Sequence, residues 1–259
     1  MSRRYKKLAA PGLPKSLYAQ MNRQVGKAIS QYGMIEDGDR VAVGISGGKD
    51  SAALHWMLSE RRSRAPVRYE MEAIHVNPGF PGGQSGELAE WFNETGQTLR
   101  VENTGFGPLA HSELNRENPC FLCSRLRRKR LFEAAAELGC NKIALGHHKD
   151  DLIETFFLNV CYAGEIATMR PVQPFFGGAV TVIRPLSFVE EAVIERFFRA
   201  MNFPRFDMNC PSSAVSKRGE IKSLLAALYR GNRKIKGNIF RALSNVRPDY
   251  LLKQPYKPV

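Results

Sequence analysis

The 259-residue chain carries 38 Lys and Arg against 25 Asp and Glu, a net charge of +13, and 43% of its residues are hydrophobic. That length suits one sizeable α/β core with appendages. No apolar run approaches the ~20 residues that span a bilayer, the basic N-terminus lacks the apolar stretch of a signal peptide, and five scattered cysteines do not make a disulfide framework, so a cytoplasmic protein with no membrane association is expected.

In chain order, Pro11 and Pro14 punctuate a loosely held start, and Leu17, Met21, Val25 and Ile29 then recur at helical spacing. After the turn Glu36-Asp37-Gly38-Asp39, the apolar run Val41–Ile45 predicts a buried parallel strand that leads through Ser46-Gly47-Gly48-Lys49-Asp50-Ser51 into a helix marked by Ala53, Leu54, Met57 and Leu58. A strand feeding a helix through two glycines leaves backbone N–H groups at a helix N-terminus, an anion site suited to phosphate. It is no Walker loop, because Val43 stands at the first glycine position and Asp50 follows Lys49. A carboxylate beside phosphates calls for a divalent cation, so Asp50 reads as an Mg²⁺ partner; the plainer reading is that it favours the first helical turn.

A second strand, Tyr69–Val76, ends at His75-Val76-Asn77, where a parallel sheet holds its ligands; His75 either lines the pocket or satisfies local backbone. A helix over Glu87–Thr95 and a strand over Thr98–Asn103 follow. The next helix enters at Asn118-Pro119-Cys120-Phe121-Leu122-Cys123 and runs to Leu138 before Gly139. Thiols near a helix N-terminus are expected to have a lowered pKa. Arg125, Arg127, Arg128, Lys129 and Arg130 make this entry electropositive; Arg127 and Arg128 suit phosphate or RNA, or simply a solvated face.

The fourth strand, Asn141–Leu145, leads to Gly146-His147-His148-Lys149-Asp150-Asp151 and a helix expected to bury Leu152, Ile153, Phe156, Phe157 and Val160. Asp151 is a candidate for orienting metal or moving a proton, and equally a helix cap. Residues 163–180 predict a long irregular loop, Val180–Ile183 a fifth strand, Val189–Met201 a helix, and Gly219–Tyr229 and Asn238–Asn245 two more. The alternation predicts an α/β doubly wound parallel sheet of about five strands. Three domains are expected: a basic segment with one helix over 1–35, a nucleotide-binding domain over 36–204, and a basic, mainly helical extension over 205–259.

The charge is segregated accordingly. Residues 1–28 hold seven Lys/Arg and no acid, residues 205–259 hold twelve against three acids, and the chain between is slightly acidic. Basic ends around a near-neutral centre favour a polyanion such as nucleic acid, with Lys217, Arg218, Arg230, Arg233, Lys234 and Lys236 as contacts. Among the cysteines, Cys140 and Cys161 read as small core residues. Cys210, between Asn209 and Pro211, does not read as core. With Cys120 and Cys123 it leaves three options: a redox pair plus an idle third thiol, a zinc site completed by His147 or His148, or a 4Fe–4S cluster with one open iron.

The spelling Ser-Gly-Gly-Lys-Asp-Ser resembles the PP-loop ATP pyrophosphatases. Together with Asn-Pro-Cys-Phe-Leu-Cys-Ser-Arg-Leu-Arg-Arg, Lys-Ile-Ala-Leu-Gly-His-His-Lys-Asp-Asp, Ile183-Arg-Pro-Leu186 and Asn245-Val-Arg-Pro, it is similar to the tRNA 2-thiocytidine biosynthesis family. The resemblance implies ATP on Ser46, Gly47, Gly48, Lys49, Asp50 and Ser51, with His75, Gly146 and His147 nearby and Asp50 and Asp151 as catalytic residues. It implies a 4Fe–4S cluster on Cys120, Cys123 and Cys210 whose open iron carries sulfide. Relatives often have a second cysteine near the third, where this chain has Met208 and Pro211. The implied reaction adenylates O2 of tRNA cytidine 32 and replaces it by sulfur from a cysteine desulfurase or free sulfide; a homodimer is a family expectation. The competing readings are a PP-loop enzyme for another base or a small molecule, and a non-catalytic RNA-binding protein.

Overall fold

The computed structural model describes residues 13–212 and 217–252; the expected loose start over residues 1–13 lies outside them except for Leu13, which packs against the core. The described residues fall into two compact units, one within 1–151 and 170–216, the other within 152–169 and 217–259.

The first unit is built on β1 (Asp39–Ile45), β2 (Tyr69–Asn77), β3 (Leu99–Asn103), β4 (Lys142–Ala144), β5 (Val172–Phe175) and β6 (Val180–Ile183), in the order β3-β2-β1-β4-β6-β5. All neighbours are parallel except β5 and β6. Strand β1 shows the period of two: Val41, Val43 and Ile45 enter one core and Ala42 the other. On the first face lie α1 (Lys15–Tyr32), α2 (Lys49–Arg62) and α7 (Glu191–Ala200), whose Met21, Val25, Leu54, Met57 and Phe197 are fully buried. The other face is covered by α5 (Pro119–Glu137) through Leu131, Phe132, Ala134 and Ala135. Gly44 permits this approach, because a Cβ there would stand 3.1 Å from Leu145 and 3.3 Å from Leu131. Helices α3 (Ser85–Glu94) and α4 (Phe106–Ala110) flank β3 in sequence.

The second unit holds most of α6 (Lys149–Leu158), a π-helical turn at Asn159–Ala163, α8 (Lys217–Gly231) and α9 (Lys234–Ala242). Its small core is Ile153, Ile221 and Leu225, with Phe157, Tyr229, Ile239 and Phe240 packed around them.

Three expectations are corrected. Residues 163–180 are no continuous loop: they include β5, an antiparallel edge strand hidden by its four-residue length and by Pro174, which only an edge tolerates. Helix α4 was not anticipated because Gly107 and Pro108 sit inside it. Cys161 and Val160 are exposed, since the chain leaves α-helical periodicity at the π turn; Cys140 is buried as expected. Other helix ends differ by a few residues, the usual latitude of boundaries.

Buried on α2, His55 packs its ring 5.0 Å from that of Phe92. Burial, aided by Arg62, pushes its pKa down to about 4. The unfolded chain takes up this proton near the ordinary 6.5, so protonation favours unfolding and stability falls as pH drops from about 6.5 towards 4. Between pH 7 and pH 4.5 this group removes about 2–3 kcal/mol. Urea denaturation of His55→Gln should show a pH dependence shallower by about that amount; an unchanged slope would assign the acid sensitivity elsewhere.

Candidate functional site

The strand order reverses between β1 and β4, so a crevice opens beyond their carboxyl ends. There Ser46–Gly48 turns the chain into α2. Gly47 has φ 87°, and a Cβ on it would meet Phe206 O at 3.0 Å, so glycine is required on both counts. Gly48 is the N-cap, and no side chain caps the helix, which leaves its first turn for an anion. Ser51 is spent inside the loop: its buried hydroxyl receives Ser46 N–H at 3.1 Å and lies 3.0 Å from Gly48 O, to which it donates. Gly146 acts by absence of a side chain, since its Cβ would press at 3.1 Å on the Asp50–Ser51 backbone.

Lys49 Nζ bridges Asp50 Oδ2 at 3.2 Å and Glu191 Oε1 at 3.1 Å. Burial opposes its charge, but the two carboxylates more than compensate and raise its pKa. Burial raises the Asp50 pKa, against the pull of Lys49 and His148. Asp50 Oδ1 is buried and has no hydrogen-bond partner. An orphaned carboxylate oxygen beside an anion cradle fits a divalent cation, which takes one or two carboxylates plus phosphate oxygens.

Next to Asp50 stands a residue that the sequence offered only as a zinc ligand. His148, almost fully buried, holds Nε2 3.7 Å from Asp50 Oδ1 and Nδ1 3.4 Å from Asp151 Oδ2. Asp151 Oδ2 accepts the His148 backbone N–H at 3.0 Å, and Asp151 N–H reaches back to His148 Nδ1 at 3.4 Å. This is a capping box with histidine at the N-cap. The structure thus shows Asp151 orienting His148 at the head of α6. The helix cap expected at Asp151 is therefore His148, and Asp151 is its partner in the first turn.

His75 is corrected from ligand to support. It is wholly buried, with Nδ1 2.8 Å from Ile45 O and Nε2 2.9 Å from Ser85 Oγ. The carbonyl can only accept, so Nδ1 carries the proton and Nε2 receives the serine hydroxyl. Burial lowers its pKa and keeps it neutral.

A cavity of about 250 Å³ opens beside the loop, lined by Ile45, Ser46, Ser124, Arg127, Arg128 and His147 among others. Its cations lack acid partners. Arg127 donates only to Val76 O at 3.3 Å, and burial lowers its pKa. It lines this cavity and is only partly exposed. Buried Arg184 donates to His147 Nδ1 at 3.3 Å and to Arg170 O, and burial pushes its pKa down to about 10.

At the entry to α5, Asn118 Oδ1 accepts the N–H groups of Cys120 and Phe121 at 3.0 and 3.2 Å, and Pro119 follows the cap. Cys120 is exposed, Cys123 buried and Cys210 half-buried. Contrary to the helix-terminus expectation, the Cys123 pKa is raised: burial leads, the neighbouring Cys210 and Cys120 add to it, and Arg127 only partly offsets them. The third cysteine is brought in by a strap. Phe206 N–H donates to Gly47 O, Gln84 and Asp207 bond reciprocally, and Asn209 Nδ2 donates to Pro81 O at 2.8 Å.

Among the described residues, no three His, Cys, Asp or Glu side chains are arranged around one metal ion, and both histidines are engaged elsewhere. Cys120 and Cys210 both act on the Cys123 thiol, and three such thiols suit a cluster that leaves one iron open.

A parallel sheet whose first strand ends in an uncapped, glycine-lined phosphate cradle defines a PP-loop nucleotide-binding domain, and the family model described as the PP-loop domain matches residues 17–207. A tRNA-cytidine(32) 2-sulfurtransferase of Geotalea daltonii is 43% identical, over 93% of this chain and 97% of that protein. Its counterpart in Geobacter sulfurreducens is 41% identical, over 91% and 93% respectively. In fold the chain is similar to the U34-tRNA thiolase NcsA of Methanococcus maripaludis, solved with its 4Fe–4S cluster, with a TM-score of 0.73, 24% identity, and 88% of this chain and 78% of that one covered. The chain belongs to the PP-loop family and, within it, to the tRNA-cytidine(32) 2-sulfurtransferases.

The close approach at Gly146 yields a direct check. Gly146→Val should cost about 1–3 kcal/mol of stability and weaken ATP binding in isothermal titration calorimetry by displacing Asp50 and Ser51. Unchanged affinity would show that this contact does not set the loop.

Proposed function

We infer that this protein adenylates O2 of cytidine 32 in tRNA and replaces that oxygen by sulfur, giving 2-thiocytidine, AMP and pyrophosphate. The observation that carries the reading is Arg127. It lines the cavity beside the phosphate loop, and its charge is felt by both Cys123 and Cys210. Nucleotide activation and sulfur delivery therefore adjoin across one side chain.

The uncapped first turn of α2 and Lys49 hold the β- and γ-phosphates, and Asp50 holds Mg²⁺ through its orphaned oxygen. Arg127, with no carboxylate to neutralise it, faces the α-phosphate, where charge grows as O2 attacks and the bond to pyrophosphate breaks. His147 has its Nδ1 occupied by Arg184, which leaves Nε2 as the proton-bearing nitrogen in the neutral ring. A sulfur nucleophile then attacks C2, the C–O bond breaks and AMP leaves. Cys120, Cys123 and Cys210 would hold the 4Fe–4S cluster, which when bound supplies an iron with a coordination position for sulfur. The raised thiol pKa of Cys123 falls away on metal ligation, which takes the thiolate.

The target base must leave its stack, at a smaller cost in a loop than in a duplex. Arg230, Arg233 and Lys234, exposed on the second unit, supply backbone contacts, together with Lys236. Lys217 and Arg218 also serve their own unit, over the Tyr162 ring at 4.5 Å and beside Thr155 at 3.3 Å. No described helix is long and apolar enough to cross a membrane, and a tRNA substrate with an external sulfur donor favours a cytoplasmic reaction.

Nucleoside mass spectrometry of tRNA from a deletion strain should lose 2-thiocytidine and regain it on complementation. Unchanged 2-thiocytidine in a host with no second such enzyme refutes the reading. Anaerobically purified protein should be brown, and Cys123→Ala colourless with ATP binding retained; a colourless wild type holding zinc would exclude the cluster.

A further inference from the structure

Besides the nucleotide cavity, the first unit carries a larger groove of about 690 Å³ between α5 and the β5–β6 hairpin. Phe132, Phe175 and Phe176 line it, and Arg125, Arg128 and Lys129 rim it. The rings form a cluster, with centroids 5.2 Å apart for Phe132–Phe175 and 5.6 Å for Phe132–Phe176. Phe176 is the informative member. It is 73% exposed and has φ 52°, followed by Gly177 and Gly178 at 67° and 97°. Glycine or asparagine would hold that backbone more cheaply, and a polar side chain would suit that exposure. An aromatic ring kept where both preferences oppose it is a hypothesis of function drawn from an observed outlier.

The rim narrows the occupant. Arg125 pairs with Glu117 at 3.2 Å and Lys129 with Glu133 at 3.9 Å. Arg128 makes no hydrogen bond or ion pair among the described residues. It lines both this groove and the nucleotide cavity. A patch of aromatic faces with an unpaired guanidinium at its edge complements a ligand with a planar base and a phosphate. Single-stranded RNA offers both, stacking on aromatic rings and pairing its backbone with arginine. An apolar peptide or a lipid tail would have no use for the cations.

We propose that this groove receives an unstacked nucleotide flanking the target base, with its base on Phe176 and its phosphate at Arg128. The inference rests on the reading that the substrate is tRNA, and it adds the place where the RNA loop is gripped outside the reaction cavity. Arg128, shared by the two, sets the spacing between the gripped nucleotide and the one that reacts.

The test uses the full chain and an anticodon stem–loop RNA, with affinity measured by fluorescence anisotropy across a salt series. Phe176→Ala should weaken binding roughly ten- to a hundredfold, with an unchanged log–log salt slope and thermal midpoint. Arg128→Gln should lower the slope by ~0.7, the loss of one single-strand phosphate contact. Stem–loop affinity unaltered in Phe176→Ala overturns the proposal. So does unaltered affinity with a sedimentation shift from dimer to monomer, which would make this face a contact between copies of the chain. A wild type that makes no 2-thiocytidine, yet binds the stem–loop in a Phe176-dependent way, would sink the functional reading and leave the groove standing.

Discussion

The site depends on one short strap, Phe206–Cys210, being laced to two separate loops of the first unit. Its Phe206 N–H meets Gly47 O, its Asp207 exchanges bonds with Gln84, and its Asn209, itself at φ 55°, reaches Pro81 O. Each bond contributes only about 0.5–1.5 kcal/mol net. Their joint effect is positional, because the same few residues brace the phosphate loop and deliver the third thiol. Without the strap, the cradle and the cysteine pair would keep their places on β1–α2 and α5, but the third thiol would not be held beside them. Gly47 and Gly83 are the partners that let it lie flat: a Cβ on either would collide with strap backbone or press hard on it.

The charges are divided by purpose. Lys49 is held between two carboxylates and stays cationic despite burial. Arg127 and Arg184 have carbonyl or imidazole partners alone, and burial depresses the pKa of both. Buried charge without a counter-ion is costly, and that cost is relieved when an anion arrives. The fold therefore stores unbalanced positive potential where phosphate chemistry takes place, while the paired charges of α5, such as Arg130 with Glu102 and Glu137, fasten the helix to the sheet edge.

What could be read from the residues follows from how local each signal is. The run Val41–Ser51 was legible because strand, turn and helix signals are contiguous there, and the Cys120/Cys123 pair because a proline and an asparagine cap announce its helix. Cys210 was legible mainly as a cysteine with no packing reason to be where it is. His148 was not, because nothing in a His-His pair says which ring turns toward Asp50; that is decided by the capping box with Asp151. His75 stayed open between two readings for the converse reason: a strand-end position suits a ligand as well as a backbone support, and only the sheet register shows it lying beside Ile45. Strand β5 and the ring of Phe176 were hidden by Pro174 and by a backbone conformation that no propensity predicts for phenylalanine.

Strand β5 has a further consequence, for growth of the sheet. It ends the sheet on its β6 side with four residues, one of them Pro174, which has no N–H to offer a newcomer. A short edge interrupted by proline is a poor template for another strand. Copies of this chain therefore cannot extend the sheet across that edge, and any assembly there must be made by side chains. A protein that exposes phenylalanine beside an open sheet margin would otherwise invite aggregation; here the backbone itself withholds the invitation.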